Sequence, residues 1–299
     1  MRGTPVPVRW EFIMLVILGY LIVIASVFGG FAMSGGHLAA LFQPVELLMI
    51  GGAAIGAFVV GNNGKAIKAT IGAIPSLFRG SGYTQARYLE LLALLSELLG
   101  KVRKEGMMSI EADLEAPAES ALFAAYPTVL ADSHATDFIC DYLRLMVAGN
   151  VNLFQIESLM DHEIDTHHHE AEVPAHCFAR LGDAMPAFGI VAAVMGVVHT
   201  MESIGLPPEQ LGILIARALV GTFLGILLAY GFVAPVASLL EQKANEATKL
   251  LQCIKATLMA SFHGCPPALA VEFGRKVLYS TERPGFTELE THLRSMKDR

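Results

Sequence analysis

The residues best suited to chemistry lie in the stretch HEIDTHHH at 162–169, where imidazoles and carboxylates crowd together. Its first letters begin the zinc-protease pattern H-E-x-x-H, in which two imidazoles one helical turn apart hold the metal. Thr166 stands where the second imidazole would be needed, so the pattern is broken. His162, Asp165 and His169 share a helix face and would bind a metal only opportunistically. A solvated acidic helix is the favoured interpretation.

No other catalytic constellation accompanies this stretch. The sequence contains no nucleophile elbow, no G-x-x-x-x-G-K-[ST] loop and no dinucleotide-binding glycine pattern. It also lacks a basic stripe with interleaved aromatics, and its formal net charge is −7. The sequence therefore predicts a protein that is not an enzyme, needs no cofactor or metal, and does not bind nucleic acid.

Composition points instead to a membrane protein. Of the 299 residues, 54% are hydrophobic and 16% charged, against about 25% charged in an ordinary soluble domain. Four apolar stretches are long enough to cross a bilayer as helices: 12–33, 45–62, 184–203 and 211–238. A signal peptide is the alternative for the first, but its apolar part is longer than the usual h-region of about 7–15 residues and no A-x-A site follows.

Basic residues in the short flanks predict the orientation, because cytoplasmic loops carry an excess of Lys and Arg. The opposite loops, 34–44 and 204–210, contain none. The N terminus, the 63–183 segment and the C-terminal tail are therefore expected in the cytoplasm of a multi-pass inner-membrane protein. The flanking cations that support this are Arg2, Arg9, Lys65, Lys68, Arg79, Arg180, Lys243 and Lys249.

Outside the spans the apolar residues recur with a period near 3.6, and nothing alternates like a strand. One amphipathic helix is expected to end near Gly106, and Pro117 marks another stop. The prediction is an all-α membrane protein with this division: transmembrane helices 1 and 2 in 1–62, a helical cytoplasmic domain in 63–183, transmembrane helices 3 and 4 in 184–238, and a cytoplasmic helical tail in 239–299. The four cysteines, all in the cytoplasmic parts, are read as free thiols: Cys140, Cys177, Cys253 and Cys265.

Ionisable residues at membrane depth usually mark function, and this chain has few. Glu46 lies at the mouth of the second span, and Arg217 is close enough to the start of the fourth to snorkel. If ions cross here, the titrating carboxylate must come from a partner. Pro186 fits the first turn of a helix, and Pro235 frees a carbonyl one turn earlier. Small residues that permit close helix packing are frequent in spans three and four: Gly189, Ala192, Ala193, Gly196, Gly221, Thr222, Gly225 and Ala229.

Three stretches together resemble the MotA family of flagellar motor stator proteins: DAMPAFGIVAAVMGVVHT, LVGTFLGILLAYGFVAPVA and VEFGRKVLYSTERPGF. The likeness covers essentially the whole chain, including DSHATDFICDYLRLM and EAEVPAH. It implies several copies of this chain, a pentamer by the family's pattern, surrounding a MotB-type partner that supplies the missing aspartate and anchors to peptidoglycan. Ion flux would then drive torque on the rotor protein FliG, with membrane lipid around the ring.

Residue by residue, Pro186 and Pro235 match the two prolines by which the family couples ion movement to conformational change. Arg103 and Glu111 match its rotor-facing charges, although ordinary surface charge is the alternative interpretation. Sodium-driven relatives have a threonine seven residues after the first proline, where this chain has Ala193. Thr222 then remains as one hydroxyl, too few oxygens for a desolvated sodium ion. The resemblance therefore implies proton coupling.

Two other hypotheses stay open. An ExbB or TolQ-type energiser would act on outer-membrane partners, but those relatives have three spans and lack the large insert. A structural scaffold without ion flux would need only the helix packing. The histidine-rich stretch at 162–169 departs from the family's pattern and has no assigned role.

Overall fold

The structure is a computed structural model that describes residues 8–149, 152–202, 205 and 207–297. Within these residues every regular element is helical and no strand occurs, which confirms the all-α prediction. Residues 1–7, which include Arg2 of the predicted cytoplasmic flank, and parts of the predicted 204–210 loop lie outside the described residues. The chain divides into two compact units: a membrane unit of residues 1–80 and 171–242, and an insert unit of residues 81–170 and 243–299.

The membrane unit contains four helices long and apolar enough to cross a bilayer, as the sequence predicts. Span one is Ile13–Met33 and span two is Leu38–Gly61. Span three is the membrane-unit part of the helix Leu153–Glu202, and span four is the membrane-unit part of Pro208–Phe262. The element bounds are Val8–Ile24, Ala25–Gly29 (π), Gly30–Met33, Leu38–Leu41, Pro44–Gly61, Gly64–Ala73, Ile74–Phe78 (3-10), Leu153–Glu202, Pro208–Ile226, Leu227–Val233 (π) and Ala234–Phe262.

The position of Pro186 differs from the prediction. Pro186 does not begin a helix, because it lies inside the single 50-residue helix Leu153–Glu202, as does Pro174. The residues before it keep their helical pattern without a break, so nothing ends the helix there. A proline inside a helix removes one backbone hydrogen bond, here the one to the carbonyl of Gly182. Pro186 therefore marks a weak point within the helix, where the sequence predicts a starting point.

The insert unit is a bundle of shorter helices with polar caps. The side chains of Thr84, Ser120 and Asp132 accept backbone N–H bonds at three helix starts. The longest insert helix ends at Gly106, whose φ of +89° suits glycine, as predicted. The bounds are Gln85–Glu105, Met107–Ile110 (3-10), Glu111–Glu115, Ala121–Ala124, Pro127–Leu130, Ser133–Ala148, Pro267–Val277 and Phe286–Lys297.

Large apolar side chains fill the core of the insert unit. A leucine-rich face of Gln85–Glu105 packs with Phe123, Phe138 and Tyr142 and with residues of the C-terminal helices. Half-buried ion pairs border this core: Arg87 with Asp132, and Lys101 with Asp113 at 2.8 Å. The four cysteines are free, as predicted.

Candidate ion pathway and rotor-facing surface

Spans three and four run antiparallel and meet through glycine. A Cβ placed on Gly189 would lie 2.8 Å from the carbonyl oxygen of Gly221 and 3.1 Å from the Cα of Gly225. A Cβ on Gly225 would lie 2.7 Å from the carbonyl oxygen of Met185, and one on Gly196 would lie 2.8 Å from the Cβ of Ala218. The two backbones therefore touch along several turns, which only small residues permit.

Two of the predicted pathway residues lie in this contact. The backbone nitrogen of Ala193 is 3.2 Å from a Cβ placed on Gly221, and the Cα of Thr222 is 3.4 Å from one placed on Gly189. Both side chains are half-buried, as is Pro186, which follows Met185 of the same contact. The fold therefore brings Pro186, Ala193 and Thr222 to one helix pair.

Pro235 lies elsewhere on span four. It is exposed within the chain and follows the π-helical segment Leu227–Val233. There it borders an apolar cavity of 320 Å³ together with Tyr20 of span one and Gly231. The two prolines thus belong to different surroundings: Pro186 to the span three and four contact, and Pro235 to the side of span four that faces span one.

Glu46 is the functional candidate that sequence reasoning placed at a span mouth and left without a role. Its side chain is buried, 8% exposed, in the first turn of the helix Pro44–Gly61. Its Oε2 has no hydrogen-bond partner among the described residues and lies 3.0 Å from a Cβ placed on Gly221. The membrane unit thus contributes a buried carboxylate beside the helix pair that holds Ala193 and Thr222. No periodicity signals this position, because it depends on how span two packs on span four.

Arg103 and Glu111 are both exposed on the insert unit. Arg103 lies in the last turn of Gln85–Glu105, and Glu111 opens the next α-helix, Glu111–Glu115. Neither makes an ion pair among the described residues, whereas the neighbouring Lys101 and Asp113 pair with each other. Burial raises the pKa of Asp113, but the hydrogen bonds from Lys101 and Ser120 more than offset this and leave the pKa lowered.

A groove of 580 Å³ adjoins Arg103. Its lining carries both signs of charge, including Glu97, Lys104, Glu290 and Arg294. An exposed, unpaired cation beside a mixed-charge groove can make reversible, screened contacts with a second charged surface. Arg103 therefore lies where contact with another protein is sterically possible, and Glu111, which does not line this groove, is likewise exposed.

The histidine-rich stretch forms no metal site: among the described residues no group of three or more His, Cys, Asp or Glu is placed to hold a metal ion. His162 is exposed, whereas His167 packs edge-on against His134 with ring centroids 5.1 Å apart. The Nδ1 of His167 is buried and has no hydrogen-bond partner among the described residues. Burial and the neighbouring His134 lower the pKa of His167, partly opposed by Asp132 and nearby glutamates.

Four spans, a close contact of small residues and a buried carboxylate are typical of membrane proteins that conduct ions. Comparison with known families points to the same class. Residues 130–253 match the MotA/TolQ/ExbB proton channel family. Residues 17–106 match the family described as motility protein A N-terminal. Both matches relate the chain to proton-channel and motility proteins of the membrane.

The particular family follows from closer relatives. The chain is 61% identical to motility protein A of Salmonella typhimurium over 285 residues, covering 95% of this chain and 97% of the relative. It is 36% identical to the chemotaxis protein LafT of Vibrio parahaemolyticus, covering 92% and 97%. The chain belongs to the motility protein A family. As a member it is a multi-pass inner-membrane protein and a proton-channel subunit of the flagellar stator.

Solved structures share the fold. A structure of MotAB from C. jejuni aligns with a TM-score of 0.74 at 19% identity, covering 91% of this chain and 98% of the other. The flagellar MotAB stator complex from Bacillus subtilis aligns with a TM-score of 0.64 at 23% identity, covering 86% and 92%. At these identities the likeness shows the helical architecture.

Proposed function

We propose that several copies of this chain, a pentamer by the family's pattern, surround a MotB-type partner and turn proton flux into torque on the rotor protein FliG. The observation that carries this is the span three and four contact, where Pro186, Ala193 and Thr222 lie on backbones in direct contact. A partner helix that brings an aspartate to this pair completes the path. The role is mechanical and not enzymatic.

Protons are the proposed ion because of the donor atoms available. A desolvated sodium ion needs several oxygen ligands, whereas a proton needs only a base. Ala193 offers no side-chain oxygen, and Thr222 offers one. The partner's carboxylate, with Glu46 buried nearby, suffices for a proton and is a thin shell for sodium.

Pro186 is the proposed coupling residue. Because it interrupts backbone hydrogen bonding inside the helix Leu153–Glu202, the helix can bend at this point when the partner's carboxylate changes charge. Pro235 is the second such point, one that follows a π-helical segment. Both prolines would allow small electrostatic changes to become helix movements.

The test is complementation of a strain lacking its own stator chain with this chain and its cognate partner. Pro186→Leu restores a backbone donor and is expected to abolish rotation while copurification with the partner is unchanged. Pro174→Leu is the matched control, since Pro174 interrupts the same helix before the span three and four contact, and is expected to keep rotation. Normal rotation by the Pro186→Leu strain would refute the coupling role.

The rotor contact is tested separately. We expect Arg103→Glu to reduce torque and a reversed rotor charge to restore it, because the contact is electrostatic. Lys276→Glu is the control, since Lys276 is an exposed cation in the last turn of another insert helix. Equal loss in both variants would contradict a specific contact at Arg103.

The proposed orientation puts the N terminus, the insert unit and the C-terminal tail in the cytoplasm, by the excess of basic flanking residues. Rotor contact requires the same orientation. An ExbB or TolQ-type energiser is the alternative, and the match of residues 17–106 to the motility protein A N-terminal family favours the stator. Full assembly without rotation under any gradient would favour the energiser or a scaffold.

A further inference from the structure

Span one meets span four at the π-helical segment Leu227–Val233. The hydroxyl of Tyr20 donates a hydrogen bond to the backbone carbonyl of Phe232 at 3.0 Å. The aromatic rings of Tyr20 and Phe232 stack, with centroids 5.3 Å apart and an interplanar angle of 9°. One turn of chain further along span one, Val23 lies 3.3 Å from a Cβ placed on Gly231. The contact therefore combines one polar tie with close apolar packing.

Tyr20 supplies a donor at a place where backbone bonding changes register. The segment Leu227–Val233 has π-helical bonding, and the α-helix resumes at Ala234. Pro235 has no N–H, so the carbonyl of Gly231 four residues earlier lacks its usual helical donor, and Tyr20 bonds the adjacent carbonyl, that of Phe232. In a bilayer no water is available to satisfy a backbone carbonyl, so a side-chain donor from another helix stabilises such a turn. π-Helical turns inside α-helices occur frequently at functional sites.

The hydrogen bond from Tyr20 to Phe232 has little polar support from its surroundings. Among the residues that the structure describes, no other side-chain hydrogen bond links span one to span four. Beside it lies the apolar cavity of 320 Å³, which Tyr20, Gly231, Pro235 and Leu77 help to line. Val233 packs on span three beside Gly182, whereas on the side facing span one the hydroxyl and ring of Tyr20, together with Val23, are the contacts that hold the segment.

We propose that Tyr20 is a positioning residue, whose hydroxyl holds the π-helical segment of span four in register ahead of Pro235. Through Phe232 it sets the conformation from which span four moves when ions pass. Tyr20 does not touch the ion. This inference rests on the proposed coupling role of Pro235. It gives span one a part in the movement of span four that accompanies ion flow.

The test compares Y20F with Y230F in the full-length chain, coexpressed with its partner in native-like membranes. Y20F keeps the ring and removes only the hydroxyl. Y230F makes the same change within the segment Leu227–Val233, where Tyr230 is exposed and its hydroxyl makes no hydrogen bond among the described residues. Amide hydrogen exchange over 227–238 and rotation speed are measured for both, with membrane level and copurification alongside.

Y20F is expected to speed exchange in 227–238 about two- to tenfold, the range for loss of one hydrogen bond, and to slow rotation at unchanged membrane level. Y230F is expected to match wild type in both. Unchanged exchange in Y20F would overturn the tie, and faster exchange with normal rotation at every load would overturn the positioning role. Failure of Y20F alone to accumulate would indicate a purely structural contact. If the wild-type chain drives no rotation, the proposed function fails, while the exchange comparison still decides the tie.

Discussion

The insert unit and the membrane unit differ in the kind of packing that stabilises each of them internally. In the insert unit, large side chains such as Leu91, Phe123 and Tyr142 fill a closed core, and ion pairs border it. In the membrane unit the central contact is backbone on backbone at Gly189 and Gly225, and the buried cluster around it is small. The hydrophobic effect accounts for the first, whereas close packing of small residues accounts for the second.

This difference shows where each unit depends on its surroundings. The membrane unit leaves many large apolar side chains exposed, among them Leu15, Leu48 and Val60. Lipid and neighbouring subunits must cover them. The insert unit buries most of its large apolar residues in one core, although a few, such as Phe154 and Phe286, stay exposed. Assembly is therefore expected to cover the membrane unit, whereas the insert unit already has a packed core of its own.

The largest expected effect is at the glycine contact. Gly225→Ala places a Cβ 2.7 Å from the carbonyl oxygen of Met185, and such overpacking costs about 1–3 kcal/mol. We expect a marked fall in the yield of assembled complex and loss of rotation, measured by copurification and tethered-cell assays. Gly212→Ala, in the same helix with open space around it, is the control and should assemble normally. Equal assembly and rotation of the two variants would contradict the claim that close packing at Gly225 stabilises the membrane unit.

A second test concerns the buried carboxylate. Glu46→Gln removes the titratable group but keeps the shape, so we expect the complex to assemble and to rotate more slowly at a given proton gradient. The reason is that an ionisable residue at membrane depth is costly and is usually retained for function. Glu209→Gln, at the exposed start of the span four helix, serves as control. Unchanged speed with Glu46→Gln would mean that its burial is only structural.

The smallest effect is expected in the insert unit, and it depends on pH. Because the pKa of His167 is lowered in the fold, the unfolded chain binds more protons, so stability rises with pH. The loss should begin as pH falls through about 6.5, the ordinary imidazole value. Thermal unfolding of the complex between pH 8 and 5.5 measures it. His167→Gln should flatten this dependence, and His176→Gln, at an exposed position, should not.

Much of the architecture could be predicted from local pattern. Four spans follow from apolar length, and the helix end at Gly106 follows from a glycine after a periodic run. Pro186 was wrongly expected to begin a helix, because a proline signals a start or an interior break equally well, and only the preceding turns decide.

The parts that escaped prediction depend on contacts between distant segments. Glu46 is buried because span two packs on Gly221, and His134 meets His167 because two insert helices pack together. The π-helical segment at Leu227–Val233 and its bond from Tyr20 likewise depend on span one. Such pairings have no period along the chain, so a single sequence does not indicate them.

Protons that pass the span three and four contact are proposed to drive rotation. The most direct measurement is tethered-cell rotation in the complemented strain while the sodium and proton gradients are varied separately. We expect a speed that follows the proton gradient and is unaffected by sodium. A speed that tracks sodium at fixed proton-motive force would contradict it.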